Sequence, residues 1–404
     1  MCVSFPARSN LNAQWAGIGM EVGGLNWWQL VALLGALQGL VLAVALATRP
    51  TGRTPHRLLA GAILSFSLFL ATVVYYSANL VGRFPHLFAA TQPLPFLFGP
   101  LVFFYAVTAS DRSRRLTWRD AWHAAPAAIV LVLSVPIFLL SGAEKVAMYE
   151  AIRRGAVPMN AMLTDPLRFL SGGGYTLATL VVLRRHRQIM ADNYSSLERV
   201  NLVWVQRLVF AAGGIWLLAF GLQVSTDLGH HPGIETDLLI ATAITALIYA
   251  IGYLGLRQPE IVRFDTAEHV VPVEASVPSQ RYERSGLDAR AAEKIQARLM
   301  ALMAHERPYR RAELTLGDLA TALHTTPHRL SEVLNAQLSL SFHDFVNGYR
   351  VREVQERLAG VDGARYTYLT LALDAGFASK STFNAVFKKQ TGMTPSAYRI
   401  SQEG

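Results

Sequence analysis

The sequence predicts an all-α protein in two parts: a seven-helix transmembrane bundle, then a cytoplasmic domain with two helix-turn-helix units. Three observations predict this. Apolar runs long enough to cross a bilayer all end before Arg257. The charged residues gather between and after those runs. Beyond Leu314, apolar residues recur at three- and four-residue spacing around two cap-and-turn signals.

Composition agrees with two regions in two solvents. Of the 404 residues, 52% are hydrophobic and 16% charged, whereas a soluble protein of average usage has about a quarter charged. The net charge of +9 suits nucleic acid, but it equally suits a membrane protein whose basic residues sit in cytoplasmic loops. A single cysteine, Cys2, excludes an internal disulfide and any paired-cysteine metal site. Residues 1–24 lack the apolar core of a secretory signal and read as an extracytoplasmic leader, with Met20 as an alternative start.

Residues 25–257 read as a seven-span transmembrane sensor domain. An apolar stretch of about 20 residues at 1.5 Å rise crosses the hydrocarbon core. The expected spans are Trp27 to Ala47, Leu58 to Leu80, Leu87 to Ala109, Ala121 to Leu140, Leu167 to Leu183, Leu208 to Ser225 and Leu238 to Leu256. Pro93, Pro95 and Pro100 remove backbone donors from the third, which is expected to bend or break. Arginines set the direction. Arg49, Arg53 and Arg57, then Arg112, Arg114, Arg115 and Arg119, then Arg184, Arg185, Arg187 and Arg199 fill the odd loops. The even loops hold only Arg83, then Lys145, Arg153 and Arg154. Odd loops are therefore expected in the cytoplasm, with the N-terminus outside and the C-terminal domain inside a bacterial inner membrane. Trp27, Trp28, Trp118, Trp122 and Trp204 fall at the expected interfaces.

The middles of the spans are almost free of ionisable residues, which argues against ion or proton transport. Arg168 and Arg207 lie near span ends, from which they are expected to snorkel to the interface. Gln38, Asn79, Gln92 and Gln223 suit helix–helix hydrogen bonds, and the glycines 172–174 suit close helix approach. His230 and His231 stand among Asp227, Glu235 and Asp237 in an outer loop, a weak metal motif read as solvated loop. No nucleophile elbow, P-loop or HExxH motif occurs. The expectation is no catalytic residue, no metal and no cofactor.

Residues 258–285, with Pro259, Pro272 and Pro278, read as a flexible linker. Residues 286–312 hold a connecting amphipathic helix with Ile295, Leu299, Leu302 and Met303 on one face. That face either packs on the following domain or serves a homodimer or signal relay.

Residues 313–404 hold the paired units. A helix from about Leu316 to Leu323 is followed by a turn at His324 to Thr326. A second helix then starts at Thr326 and Pro327, with Leu330, Val333 and Leu334 inward. Thr326, His328, Arg329, Ser331 and Asn335 are left outside for contact with DNA, beside Pro327 and Glu332. The plan repeats with a helix from Leu369 to Ala375, a turn at Gly376 and Phe377, and a helix capped by Ser379 that runs to about Gln390. Its Phe383, Val386 and Phe387 pack inward, leaving Ser379, Lys380, Ser381, Thr382, Asn384, Lys388 and Lys389 as candidate contacts. Lys388 and Lys389 suit phosphate, while Lys380, Ser381 and Asn384 suit base edges. No acidic residue falls between Asp374 and Glu403, as phosphate binding favours. A helix between the units carries Phe342, Phe345, Val346, Tyr349, Val354 and Leu358 on an inward stripe.

The run Gly376, Phe377, Ser379, Ser381, Phe383, Phe387, Lys388, Lys389, Gly392, Thr394, Pro395, Tyr398 and Arg399 resembles the second unit of AraC-type transcriptional regulators. The resemblance covers about a fifth of the chain, and the arrangement resembles a membrane-embedded branch of that family. It implies a sequence-specific DNA-binding regulator that is no enzyme. The expected partners are double-stranded DNA, the lipid bilayer and an unidentified small-molecule or membrane-derived signal. The alternative is a transporter or receptor whose C-terminal domain is only regulatory or binds protein. Two positions depart from the family pattern: Ala385 stands where many members have Arg, and Glu332 where a basic residue is common.

Overall fold

The computed structural model describes residues 25–49, 53–111, 113–156, 159–197, 202–229, 236–257, 288–360 and 365–403. The leader, the expected linker and the His230–His231 loop lie outside them. Among the described residues the structure is all-helical and has no strand. It divides into two compact units. The N-terminal unit comprises residues 1–183 and 202–258, and the C-terminal unit comprises residues 184–201 and 259–404.

The N-terminal unit is built from α1 (Trp27–Ala47), α2 (Arg53–Ser77), α3 (Pro95–Ser110), α4 (Ala125–Leu139), α5 (Gly142–Arg153), most of α6 (Met159–Asn193), α7 (Val203–Asp227) and α8 (Thr236–Arg257). Each of the seven expected segments falls on a helix. Among the described residues, five helical stretches, at Trp27–Ala47, Thr54–Ser77, Trp118–Leu139, Val203–Asp227 and Thr236–Leu254, are long and apolar enough to cross a membrane. The third segment is shorter than expected because prolines fix its start. The chain makes 3-10 turns at Leu80–Gly82 and Pro85–Leu87, and α3 begins at Pro95, leaving 16 residues. Helix α5 is an addition to the expected elements. Ser141 and Glu144 cap it reciprocally, a local signal inside what otherwise reads as loop.

Small residues let these helices approach. A Cβ on Gly172 would run into the indole of Trp216, while Gly173 and Gly174 face open space. Gln92 accepts a hydrogen bond from Ser134 Oγ at 3.2 Å, joining the segment before α3 to α4.

The fifth segment corrects one expectation. Helix α6 is 35 residues long and starts eight residues before Leu167, so Arg168 lies two turns inside it. Arg168 is 5% exposed and does not snorkel.

In the C-terminal unit, α9 (Ala289–His305) buries Leu299 and Met303 against α10 (Leu316–Ala322), α11 (Pro327–Gln337) and the start of α12 (Phe342–Ala359). The connecting-helix face thus packs on the domain beyond it. The far half of α12 buries Val351, Val354 and Leu358 with α13 (Tyr368–Asp374) and α14 (Lys380–Thr391), and Tyr398 of α15 (Pro395–Glu403) joins that core. Helix α12 therefore contributes to both cores.

Candidate nucleic-acid interface

Each half of the C-terminal unit presents a short helix, a tight turn and a second, exposed helix. In the first, Thr315 and Asp318 form a capping box on α10, and His324 turns the chain with a left-handed φ of 52°. Thr326 then starts α11 by accepting a hydrogen bond from the Arg329 amide at 3.3 Å. In the second, Gly376 turns the chain at a φ of 98°. A side chain there would meet the carbonyl oxygens of Tyr309 and Arg310, so glycine is required both for the turn and for close approach. Ser379 caps α14 by accepting from the Thr382 amide at 3.3 Å, and Gly392 ends the helix at a φ of 77°.

The two exposed helices carry the expected contact residues unevenly. On α11, His328, Arg329 and Asn335 are exposed, and Thr326 is exposed with its hydroxyl committed to the cap. Ser331 differs from its expected outward place. It is 7% exposed and accepts a hydrogen bond from Asn335 Nδ2 at 3.3 Å, because it sits one turn before Leu334 on the flank of the buried stripe. Glu332 is half-buried. On α14, Lys380, Ser381, Lys388 and Lys389 are exposed, while Ser379, Thr382 and Asn384 are half-buried. Ala385 is exposed between them and offers no donor.

The electrostatics refine this surface. Lys389 donates to Asp344 Oδ1 at 2.9 Å, so one of the two expected phosphate ligands is tied to the first turn of α12. A hydrogen bond from His343, then the bond and charge of Lys389, hold the Asp344 carboxyl well below its ordinary value. Asp374, the acid just before the second turn, is paired with Arg357 at 3.3 Å. Lys380 and Lys388 make no ion pair among the described residues.

The polar core beneath this surface was invisible in the apolar pattern. Arg350, 1% exposed, donates from Nε to the Tyr309 carbonyl at 2.7 Å and from Nη2 to the Arg311 carbonyl at 2.8 Å. It also reaches Asn347 Oδ1 at 3.2 Å and Ser195 Oγ at 3.2 Å. Burial pushes its guanidinium down to about 10, still charged at neutral pH. Glu353 accepts a two-pronged pair from Arg310, at 3.0 and 2.7 Å. Desolvation, then the Glu353 bond, pushes the neighbouring Tyr309 hydroxyl up to about 12. Gly376 was the one sequence signal of this crowding.

The N-terminal unit holds a second candidate site. A cavity of about 80 Å³ lies among α2, α3, α6, α7 and α8, with Phe66, Phe98, Phe169 and Trp216 on its walls. Arg168, Gln223, Thr226, Thr236 and Asp237 are its polar groups. Arg168 Nη1 is an ion-pair partner of Asp165 at 3.2 Å but has no hydrogen bond, the geometry being off the N–H axis.

Residues 319–401 match a family described as a helix-turn-helix domain. An uncharacterised HTH-type transcriptional regulator of Bacillus subtilis (strain 168) is 33% identical over 88 residues, which are 22% of this chain and 11% of that protein. The melibiose operon regulatory protein of Escherichia coli (strain K12) is 30% identical over 91 residues, which are 22% of this chain and 29% of that protein. The chain thus spans less than a third of the length of either relative. No solved structure matches. Sequence match and geometry agree that the C-terminal part of this chain is similar to the helix-turn-helix domains of AraC-type regulators.

Proposed function

We propose that this protein is a membrane-tethered, sequence-specific DNA-binding transcriptional regulator whose N-terminal unit senses a signal. The pairing of two capped, exposed helices on one shared helix carries the DNA-binding half of this reading. The residues proposed to meet DNA are His328, Arg329 and Asn335 on α11, and Lys380, Ser381, Thr382, Asn384 and Lys388 on α14. Thr326 and Ser379 act as caps whose neighbouring amides face the backbone of the duplex. Lys389 contributes through its charge while held by Asp344.

The membrane half rests on where the large apolar side chains point. Leu139 is 81% exposed, Leu217 73% and Val41 66%, on helices long and apolar enough to cross a membrane. Water disfavours so many exposed large apolar side chains. Arginine-rich odd loops favour a cytoplasmic C-terminus, and the cavity around Arg168 is the proposed seat of the signal. A buried arginine with an unmet donor is costly inside a bilayer and is retained for a purpose.

Mapping the DNA sites occupied in cells tests this reading, followed by the same map after deletion of residues 25–183. Discrete sites in the first map, redistributed in the second, are expected. Sequence-independent occupancy in both maps would sink it.

A further inference from the structure

The C-terminal unit contains a piece of chain from far upstream. Residues 184–197, the last turns of α6 and the short stretch beyond its end, fold with it. Ser195 is 1% exposed, Asn193 4% and Tyr194 8%. The Ser195 amide donates to the Leu314 carbonyl at 3.2 Å, and its hydroxyl donates to the same oxygen at 2.7 Å. Ser195 Oγ accepts from Arg350 Nη2 at 3.2 Å, and the Ser195 carbonyl accepts from Asn347 Nδ2 at 3.2 Å. Tyr194 pairs with Thr315 as an isolated antiparallel bridge.

The position of this contact decides its meaning. Segment Tyr309 to Leu314 lies between the two helix-turn-helix units. Its start is held by Arg350 and Glu353 of α12 and abuts Gly376 of the second unit. Its end leads through Leu314 and Thr315 into α10 of the first unit. Ser195 bonds the end of the segment and, through Arg350, the helix that holds its start. One small side chain thus closes the loop that sets the first reading helix against the second.

We infer that Ser195 is a positioning residue of the DNA interface: its docking fixes the separation of the two reading helices and so the half-site spacing that the protein accepts. The inference rests on the proposed DNA-binding function and adds the residue that sets its geometry. Two readers joined rigidly discriminate between spacings, whereas two readers joined loosely do not. Ser195 lies two residues beyond the end of α6.

The test uses the full chain in lipid nanodiscs with Cys2→Ser as background. Operators selected with this protein are rebuilt as single half-sites and as pairs at graded separations. The background protein prefers one separation by about tenfold, the factor that a charge-assisted hydrogen bond supplies. Ser195→Ala is expected to lose that preference while keeping its affinity for a single half-site. A rescue variant adds Tyr194→Cys and Thr315→Cys to Ser195→Ala. The bond from the Ser195 amide to Leu314 flanks this bridge, making it a non-hydrogen-bonded pair with Cα atoms about 4.5 Å apart, within disulfide reach. Oxidation should restore the spacing preference and reduction should abolish it.

Unchanged spacing preference in Ser195→Ala overturns the inference and leaves the DNA-binding function standing. So does a parallel loss of half-site affinity, which marks Ser195 as merely structural, or a disulfide that restores nothing. A background protein that binds no sequence overturns the proposed function itself.

Discussion

Two buried arginines, one in each unit, show how differently the halves of this molecule treat charge. Arg350 in the C-terminal unit and Arg168 in the N-terminal unit are 1% and 5% exposed. Arg350 is met by two backbone carbonyls, an asparagine and a serine, with its aliphatic stem inside a helical core. Arg168 has the Asp165 carboxylate beside it and Asp237 close enough to act on its charge, a donor nitrogen without a hydrogen bond and a cavity in front of it. A fully bonded buried charge is architecture, because removing it leaves several partners unmet. A partly bonded one beside empty space is poised to take something else. The same residue type therefore marks a keystone in one unit and a proposed ligand site in the other.

The contrast breaks most visibly at the keystone. Arg350→Met should destabilise the C-terminal unit by about 3 kcal/mol or more, since the carbonyls of Tyr309 and Arg311 lose their donor in a dry site. Chemical denaturation of the full chain, monitored by a probe in that unit, measures it. A loss below 1 kcal/mol, on the order of one surface change, would remove the keystone reading. Next in size, Lys388→Ala should weaken DNA binding by about 1 kcal/mol and lower the salt slope by about 0.9, because one phosphate contact is lost. Lys389→Ala should cost less, its ammonium being held by Asp344. Equal effects at the two lysines would show that the Asp344 tie is released on DNA.

The ligand-site half predicts a small effect on folding. Arg168→Met combined with Asp165→Asn and Asp237→Asn removes the charges of this cluster together and should leave thermal stability within about 1 kcal/mol of the parent. A loss as large as that of Arg350→Met would make both arginines structural and erase the comparison. The smallest effect is a pH dependence at Asp344. Its carboxyl is depressed from the ordinary value of 3.8. The associated stabilisation is therefore fully present above about pH 4 and is lost as pH falls through the lower folded value. Thermal melts of the parent and of Asp344→Asn should converge on acidification, and a constant gap between them would contradict the sign.

The legible part of the fold was the part built from apolar period and caps. Thr326, Ser379 and Gly376 announced the ends of the reading helices because caps and turns are local chemistry. Phe383, Val386 and Phe387 announced the buried face of α14 because a helix repeats every 3.6 residues. Proline placement gave warning that the third span would be cut short. The polar core was illegible for the complementary reason. Arg350, Glu353 and Asn347 lie on a helix whose sequence reads as a solvated charged face, and their burial depends on carbonyls supplied by Tyr309 and Arg311. Ser195 carried no signal at all, its partners lying 119 and 155 residues away. Lys389 looked free in sequence because Asp344, 45 residues upstream, is not a neighbour until the chain folds. Arg168 was misplaced by assigning the helix end to the end of its apolar run.

The central claim, a DNA reader held at a membrane, is tested most directly by flotation. The full chain is reconstituted in lipid vesicles and mixed with a fluorescent duplex carrying a selected operator, together with a scrambled duplex of the same length. On a density gradient the operator should float with the vesicles and be released as salt rises, while the scrambled duplex stays at the bottom. Equal flotation of both duplexes, or of neither, would contradict the account.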